Sequence, residues 1–499
     1  MIYTKLCIIV DVLTILHLSD LHRSPNAPVS NDMLLSCLLQ DLEKQKSEDP
    51  VIPTCDVAVI TGDLIMGVKA DDSNFSETFI SQYREAKSFL IQLSQELFDG
   101  HLGRIFVVPG NHDVCWQICR QSMELIETAG RFDASSLLEI VNSPYRWSWD
   151  DLRLYRIKDF DVYKSRLKYF KEFFDDFYKT QGFTFNLEDN EQVNNFVTED
   201  EKILFTGFSS LFGNDCYDHR GRISSDCVAR NGLIMRKSEL ADIPVKIAFW
   251  HHSLESSGYG IDHLNRDEVL PLLIDQGYTL GLHGHQHRSG VVSFAYHLDP
   301  ERFMPVISSG SLCADQYSIP QGYRRQYNLI EIDEVECKTK IHVREWFDNT
   351  SLISARLQEF GGKGWIIKDL PLLKERIKRR LQVLEKTSPS VDKAELLLRE
   401  KKYEATLDLL KKLPQDIPIV RSLLVETLHS LGRWDDLMRL IPKPLNPTEL
   451  TVLVDALCKK KNFDSAISII QECEREPLTY DTGFISSLRK RVEAEKEGA

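Results

Sequence analysis

Five short segments of this chain carry side chains that bind metal ions or move protons. The segments are Ser19–His22, Thr61–Asp63, Pro109–Asp113, Trp250–His252 and His283–His287. Each follows a short apolar run, and together they offer carboxylates, an amide oxygen and several imidazoles but no thiolate. Oxygen and nitrogen donors of this kind suit divalent cations such as manganese, iron or zinc. The pattern therefore predicts a metal-dependent reaction.

The spacing of these donors fits two neighbouring cations. If their loop is extended, Asp20 and His22 project from the same face, because alternate residues share a side. His285 and His287 have the same spacing and could serve two ions that lie side by side. Asp63 is a short carboxylate that follows a glycine, which lets the backbone turn closely enough for it to bridge both ions.

The order of the five segments resembles the calcineurin-like metallophosphoesterase superfamily. That pattern is Asp-x-His, Gly-Asp, Gly-Asn-His-Asp/Glu, His and Gly-His-x-His, and every block is present over roughly residues 12–345. The resemblance implies an α+β fold, a two-sheet β-sandwich flanked by helices with the metals at the loop ends. By position it implies one metal bound by Asp20, His22, Asp63 and His287, and a second bound by Asp63, Asn111, His251 and His285.

The double histidine leaves one of these ligands open. In relatives with a His-His-Pro block the first histidine is the ligand, which favours His251 over His252. Here Ser253 replaces the proline, so both histidines stay candidates.

The resemblance also implies how the residues would act on a phosphoester. Two divalent ions, with manganese expected and iron, zinc or nickel as alternatives, would lower the pKa of a bridging water and hold the hydroxide in line with phosphorus. His112 would stabilise or protonate the leaving oxygen. Asp113, the second catalytic candidate, would orient His112 or a ligand, or alternatively only stabilise a turn. Arg220 is a candidate for binding the substrate phosphate, with a surface salt bridge as its alternative.

Short buried strands must position these groups. Apolar runs, mostly rich in branched residues and each followed by a polar or glycine-containing loop, predict them. The predicted strands are Val12–Leu18, Val57–Ile60, Arg104–Val108, Ile203–Gly207, Val245–Trp250, Thr279–Leu282 and Pro305–Ser308. Residues 114–200 differ, because aromatic residues there recur at steps of three and four, which predicts an amphipathic helix. We expect this region to be a helical insert or cap over the site, or simply to pack on the core.

A length of 499 residues favours about three domains. We expect a metallophosphoesterase domain at 1–350, a linker and a basic helix at 351–385, and a helical domain at 386–499. In the last, Tyr403, Trp434 and Phe463 each stand between two helical patterns, which resembles tetratricopeptide-like repeats. A plain helical bundle is the alternative.

The composition excludes several other classes of protein. Hydrophobic residues make up 42% and charged residues 27% of the chain, which is typical of globular proteins, and the net charge of −14 argues against a generic nucleic-acid coat. Eleven scattered cysteines without a CxxC pair predict reduced thiols in a cytoplasmic protein. The apolar run at residues 6–16 is too short to span a bilayer. We expect it to form buried strands, and we expect no membrane partner.

One function and two alternatives follow. The prediction is a dinuclear-metal-dependent phosphodiesterase that acts on a nucleotide or a similar diester. The first alternative is a DNA or RNA nuclease of the same superfamily, with the aromatic insert and the basic run Lys374–Arg380 as nucleic-acid contacts. The second is a scaffold or regulated adaptor in which the metal site is vestigial. The C-terminal helices predict a protein partner or self-association.

Overall fold

The computed structural model of the chain divides into two compact units, Met1–Arg376 and Ile377–Ala499. It describes residues 12–48, 50–69, 71–126, 143–198, 202–255, 262–296, 299–314, 318–347, 351–415, 417–444, 446–474 and 482–497. The buried strands predicted at residues 6–11 lie outside this range.

The described strands are, in chain order, β1 (Leu13–Leu18), β2 (Val57–Thr61), β3 (Ile105–Val108), β4 (Met123–Ile126), β5 (Tyr145–Ser148), β6 (Arg153–Ile157), β7 (Val193–Val197), β8 (Ile203–Phe208), β9 (Val245–Phe249), β10 (Leu280–His283), β11 (Gly290–Tyr296), β12 (Asp299–Ser308), β13 (Gln326–Asp333), β14 (Lys338–Trp346), β15 (Leu352–Ser354) and β16 (Trp365–Asp369). All seven strands predicted from the sequence are confirmed. The ends of six differ by one residue, and β12 begins six residues before the predicted Pro305.

The described α-helices are α1 (Asn31–Lys44), α2 (Phe75–Leu97), α3 (Trp116–Gln121), α4 (Phe160–Lys164), α5 (Lys168–Phe177), α6 (Ser225–Arg236), α7 (Arg266–Asp275), α8 (Pro371–Arg399), α9 (Tyr403–Leu410), α10 (Pro418–Ser430), α11 (Trp434–Leu440), α12 (Pro447–Lys459), α13 (Phe463–Cys473) and α14 (Thr482–Glu497). None of them combines the length and the apolar character that crossing a bilayer requires.

Two large sheets form the centre of the first unit. Among the described strands, the first sheet has the order β15-β14-β13-β1-β2-β3, with β16 paired to β14, and the second has the order β11-β12-β10-β9-β8-β7. Strands β1, β2 and β3 are parallel, and so are β8, β9, β10 and β12. Every residue of β2 and β9 is buried, as expected for strands covered on both faces.

The two sheets pack face to face beneath outer helices. The ring of Phe106 on β3 lies 4.8 Å from that of Phe205 on β8. Asp41 of α1 accepts hydrogen bonds from Tyr327 and Arg344 of the first sheet, and α6 and α7 share a buried core with the second sheet. The predicted α+β fold, a two-sheet β-sandwich flanked by helices, is confirmed.

Residues 114–198 contain more strand than the predicted helical insert. Strands β4, β6 and β5 form a small antiparallel sheet, and β7 joins the edge of the second large sheet. The aromatic face of α5 packs on α2, where Tyr169 stacks on Phe79 at 4.8 Å and Phe173 stacks on Tyr83 at 5.3 Å. The aromatic periodicity thus reflects core packing.

Residues 352–369, where the sequence predicted a linker, add strands β15 and β16 to β14. Helix α8 then begins at Pro371. Its Arg376, part of the predicted basic run, donates hydrogen bonds to the backbone carbonyls of Ile243, Pro244 and Gly277. This arginine therefore has a structural role within the first unit.

The second unit is entirely helical over its described residues, and three of its helix–helix turns share one geometry. Lys401, Gly432 and Lys461 each stand two residues before the repeated aromatic residue and have left-handed φ values of 58°, 63° and 58°. In each turn the next N–H donates to the carbonyl five residues earlier, at 2.9 Å. This is the Schellman ending, which favours glycine at the left-handed position. The backbone thus repeats where the sequence repetition is weak.

Lys401→Gly and Lys461→Gly should each stabilise the second unit by roughly 0.5–1 kcal/mol, because glycine adopts a positive φ without the steric cost of a Cβ. Gly432→Ala should destabilise it by a similar amount. Hydrogen exchange of the flanking helices measures the free energy of opening. Lys460→Gly is the control: its φ is −86°, so glycine should destabilise there, and stabilisation at all three lysines would contradict the explanation.

Candidate metal centre

Each predicted ligand follows the carboxyl end of a strand, and the ligands come from both large sheets. Asp20 and His22 follow β1, Asp63 follows β2, Asn111 follows β3, His251 follows β9, and His285 and His287 follow β10. Because the carboxyl ends of parallel neighbours lie at one edge of a sheet, the two sheets bring their loops together at one end of the sandwich.

The ligand loops are not extended, although the prediction from the spacing of Asp20 and His22 assumed that they would be. Five predicted ligands have left-handed backbones, with φ of 51° at Asp20, 44° at His22, 49° at Asp63, 74° at His285 and 53° at His287. Non-glycine residues rarely adopt this conformation, and its clustering is typical of functional sites. The loops therefore carry backbone strain that the surrounding fold must hold.

Backbone N–H groups hold one oxygen of each central carboxylate. His112 N–H donates to Asp63 Oδ1 at 2.9 Å, and His285 N–H donates to Asp20 Oδ2 at 3.1 Å. The other oxygens face histidine nitrogens: Asp63 Oδ2 lies 3.3 Å from His251 Nε2, and Asp20 Oδ1 lies 3.2 Å from His287 Nε2. Each carboxylate thus turns one oxygen toward the centre of the site.

The remaining donor atoms converge on the same region in two groups. In the first, His22 Nε2 lies 3.3 Å from His287 Nε2. In the second, Asn111 Oδ1 lies 2.9 Å from His251 Nε2 and 3.0 Å from His285 Nδ1. The seven predicted ligands therefore meet, and Asp63 stands between the two groups.

The outer nitrogens of the histidines are held by acceptors that sequence reasoning missed. His251 Nδ1 lies 2.7 Å from the carbonyl of Thr61, and His287 Nδ1 lies 2.8 Å from that of Ser318. His285 Nε2 lies 3.3 Å from the Asp262 carboxylate. Such acceptors fix the protonated nitrogen and direct the other toward a metal. Backbone carbonyls have no sequence signal, and Asp262 belongs to none of the motifs.

These residues fit a divalent cation. His22 Nε2 and His287 Nε2 face each other at 3.3 Å, which brings lone pairs together where neither carries a proton. Asp20 Oδ1 is buried, and although it lies 3.2 Å from His287 Nε2 it has no hydrogen bond of good geometry among the described residues. Within the part of the chain that the structure describes, three clusters could hold an ion: Asp20, His22 and His287; His22, Asp63 and His112; and Asp20, Asp63 and His251. A bound cation would satisfy both the lone pairs and the buried carboxylate charges.

The buried carboxylates of the site attract positive charge, which a bound metal cation could supply in place of a proton on a histidine. Although burial opposes the charged forms, the Asp63 carboxylate raises the pKa of His251 to about 9, and His251 in turn holds the pKa of Asp63 well below its usual range. Burial, with the nearby His112, lowers the pKa of His22 to about 3, so this imidazole is neutral, as a ligand must be.

The two adjacent histidines are both buried, but their rings face different groups. His251 Nε2 faces Asn111 and Asp63, whereas His252 Nδ1 lies 2.8 Å from the Ser210 hydroxyl. Burial holds the pKa of His252 well below its ordinary value. The geometry thus gives His251 the position expected of the ligand.

His112, Asp113 and Arg220 have distinct surroundings. His112 is 40% exposed, with Nε2 3.9 Å from Asp63 Oδ2. Asp113 is buried and accepts hydrogen bonds from Gly110 N–H at 2.7 Å and from Tyr83 Oη at 2.8 Å. Both contacts hold the turn that carries His112, so they fit a role in orienting His112 as well as the turn-stabilising alternative.

Burial and the Asp63 charge raise the pKa of Asp113 to about 7.

Both guanidinium contacts of Arg220 go to Asp218, at 2.8 and 2.6 Å. These contacts are those of the salt-bridge alternative for Arg220.

Comparison with known proteins gives one match that carries an argument. The sequence model of the calcineurin-like phosphoesterase family matches residues 13–289, more than half of the chain and the whole predicted ligand set. No curated protein is significantly similar in sequence.

Two solved structures share little sequence with the chain. A predicted phosphoesterase from Streptococcus pneumoniae TIGR4 is 12% identical, covering 69% of this chain and 99% of its own, with a TM-score of 0.22. A single mutant of Vps29 from Entamoeba histolytica is 9% identical, covering 69% of this chain and 98% of its own, with a TM-score of 0.24. The assignment rests on the family match.

The sandwich, the convergent donors and the family match together define a metal-dependent phosphoesterase. The chain belongs to the calcineurin-like phosphoesterase family.

His251→Asn and His252→Asn make the same change at neighbouring positions. We expect His251→Asn to weaken manganese binding by about tenfold or more, because an inward-facing imidazole is lost. His252→Asn can keep the bond to Ser210 and should bind as the wild type does. Isothermal titration calorimetry measures both affinities, and the reverse order would make His252 the ligand.

Proposed function

We propose that this chain is a phosphodiesterase that hydrolyses a nucleotide or a similar diester with two divalent cations, manganese being the expected metal. The supporting observation is the convergence of seven buried or half-buried donors beside one exposed imidazole, that of His112. Asp20, His22, Asp63 and His287 would hold one ion, and Asp63, Asn111, His251 and His285 the other. When bound, such a pair polarises phosphoryl oxygens and lowers the pKa of water.

His112 is the candidate proton donor. Its Nδ1 lies 2.6 Å from the carbonyl of Met66. A carbonyl only accepts, so Nδ1 carries a proton, and Nε2 is left to face the substrate. As the bond between phosphorus and the leaving oxygen breaks, that oxygen takes the Nε2 proton. Water supplies the oxygen that bonds to phosphorus and gives up one proton to solvent. The imidazole takes up one proton from solvent, which restores the imidazolium and balances the cycle.

The manganese-loaded protein should hydrolyse bis-p-nitrophenyl phosphate, and two substitutions should separate metal binding from proton transfer. Asp63→Asn should abolish both metal binding and turnover, because Asp63 lies between both ligand groups. His112→Ala should lower kcat about 100-fold or more while manganese content is retained, because a positioned proton donor is lost. Release of p-nitrophenolate and elemental analysis measure the two quantities.

Arg220→Gln separates the two alternatives for that residue: turnover and KM equal to those of the wild type would fit the salt bridge to Asp218, and a raised KM would make Arg220 a substrate contact. Loss of manganese in His112→Ala would make His112 a ligand instead. The substrate class is decided by cyclic and linear dinucleotides beside single- and double-stranded DNA. Degradation of DNA alone would favour the nuclease alternative. A protein that binds no divalent ion and cleaves no ester would favour the adaptor.

The C-terminal helices form the second part of the proposal. They have their own buried core, from Val391 to Val492, and all predicted ligands precede residue 288. We propose that residues 386–499 bind a protein partner or a second copy of the chain, as helical repeats commonly do.

Removal of residues 386–499 should leave kcat for a small diester unchanged and should abolish assembly with the partner or with a second copy. Turnover measures the first effect, and light scattering together with capture by the full chain measures the second. Circular dichroism checks that the first unit stays folded. Lost turnover in a folded truncated protein would contradict the proposal.

A further inference from the structure

The orientation of His112 depends on a loop that directly follows a predicted ligand. The Met66 carbonyl that meets His112 Nδ1 lies three residues after Asp63. Gly67, the next residue, has a φ of +82°, and a Cβ there would lie 2.9 Å from His112 Nδ1. The loop therefore passes directly against the imidazole, and a small shift of its backbone would move the acceptor of the ring.

Helix α2 holds this loop through a buried amide. Gln82 is only 5% exposed, and its Nε2 donates to the carbonyl of Gly67 at 3.0 Å. Because the Met66 and Gly67 carbonyls belong to consecutive peptide units, the bond to one restricts the direction of the other. The uncharged Gln82 amide thus holds the loop in which the Met66 carbonyl lies, and that carbonyl orients the His112 imidazole.

The next residue of α2 holds the other side of His112. Tyr83 is also 5% exposed, and it donates through Oη to Asp113 Oδ1 at 2.8 Å. Asp113 Oδ2 in turn accepts from Gly110 N–H at 2.7 Å, which closes the turn that carries His112. Tyr83 stacks on Phe173, so its own position is fixed by packing.

We propose that Gln82 and Tyr83 are positioning residues for His112, with Gln82 orienting the imidazole and Tyr83 orienting the backbone that bears it. This inference rests on the proposed function, in which His112 Nε2 supplies a proton to the leaving oxygen. Among the described residues, their side chains hydrogen-bond to Gly67 and Asp113 and not to a predicted metal ligand. Their effect is to keep Nε2 aligned, and misplacement by about 1 Å can cost up to 100-fold in rate.

The test compares two diesters in the full-length, manganese-loaded protein. Phenol is a poorer leaving group than p-nitrophenol, so diphenyl phosphate needs the proton from His112 more than bis-p-nitrophenyl phosphate does. Gln82→Met and Tyr83→Phe should each lower kcat for diphenyl phosphate about tenfold and change kcat for the nitrophenyl ester less than about twofold. KM and metal content should stay constant.

Gln92→Met is the matched control. It makes the same change ten residues further along the same helix, and its side-chain oxygen, like that of Gln82, has no hydrogen-bond partner among the described residues. Both of its kcat values should equal those of the wild type. Equal losses on the two esters in Gln82→Met, or a loss of metal, would indicate a merely structural role and would overturn the inference.

A second measurement does not depend on turnover. In zinc-loaded protein with ¹⁵N-labelled histidine, observed at a pH at which the imidazole is neutral, the His112 signals, assigned by their loss in His112→Ala, should show the proton on Nδ1. In Gln82→Met they should show a mixture of tautomers. If the wild type cleaves neither ester, the proposed function is rejected. Unchanged signals in Gln82→Met would overturn the role of Gln82 in that case too. Cleavage by the wild type with unchanged Gln82→Met signals would reject the inference alone.

Discussion

Two buried carboxylates at the ends of neighbouring parallel strands are the constraint on which the site depends. Asp20 and Asp63 follow β1 and β2, and each has one oxygen held by a backbone N–H and one facing the centre. Buried charge of this kind is costly unless it is paired. Every other feature of the site compensates for it: histidines from the second sheet approach the free oxygens, and their outer nitrogens are tied to carbonyls. The strained left-handed loops are the backbone condition for this arrangement.

The strands and the ligand set could be predicted because their signals are local. A short apolar run followed by a polar or glycine-containing loop marks a strand end, and five such ends with metal-binding residues in one order mark one site. The loop geometry could not be predicted in the same way. Asp20 and His22 share a side not because their loop is extended but because both adopt positive φ, which tertiary contacts impose. Strands β15 and β16, within residues 352–369, were not predicted for a related reason, since short edge strands have weak patterns of hydrophobic residues.

The supporting groups were missed because their chemistry is common to all residues. Carbonyls of Thr61, Met66 and Ser318 orient imidazoles, and any residue at those positions would offer the same oxygen. Gln82 and Tyr83 lie in a helix whose pattern shows only that one face is buried. The aromatic stripe around Phe173 was open to two interpretations, and its stacking on α2 shows packing. In the second unit, the repeated left-handed turns appear more clearly in the backbone than in the residues.

The ligands also come from distant parts of the chain and from two different sheets. His22 and His287 meet across 265 residues, so the site does not exist until β10 has taken its place beside β9. Closing so long a connection is a late step in folding. Cations would therefore bind only after the two sheets have packed against each other. Once bound, they would stabilise the contact between the sheets. The free energy of unfolding of this unit would then rise with the metal concentration, as its turnover would.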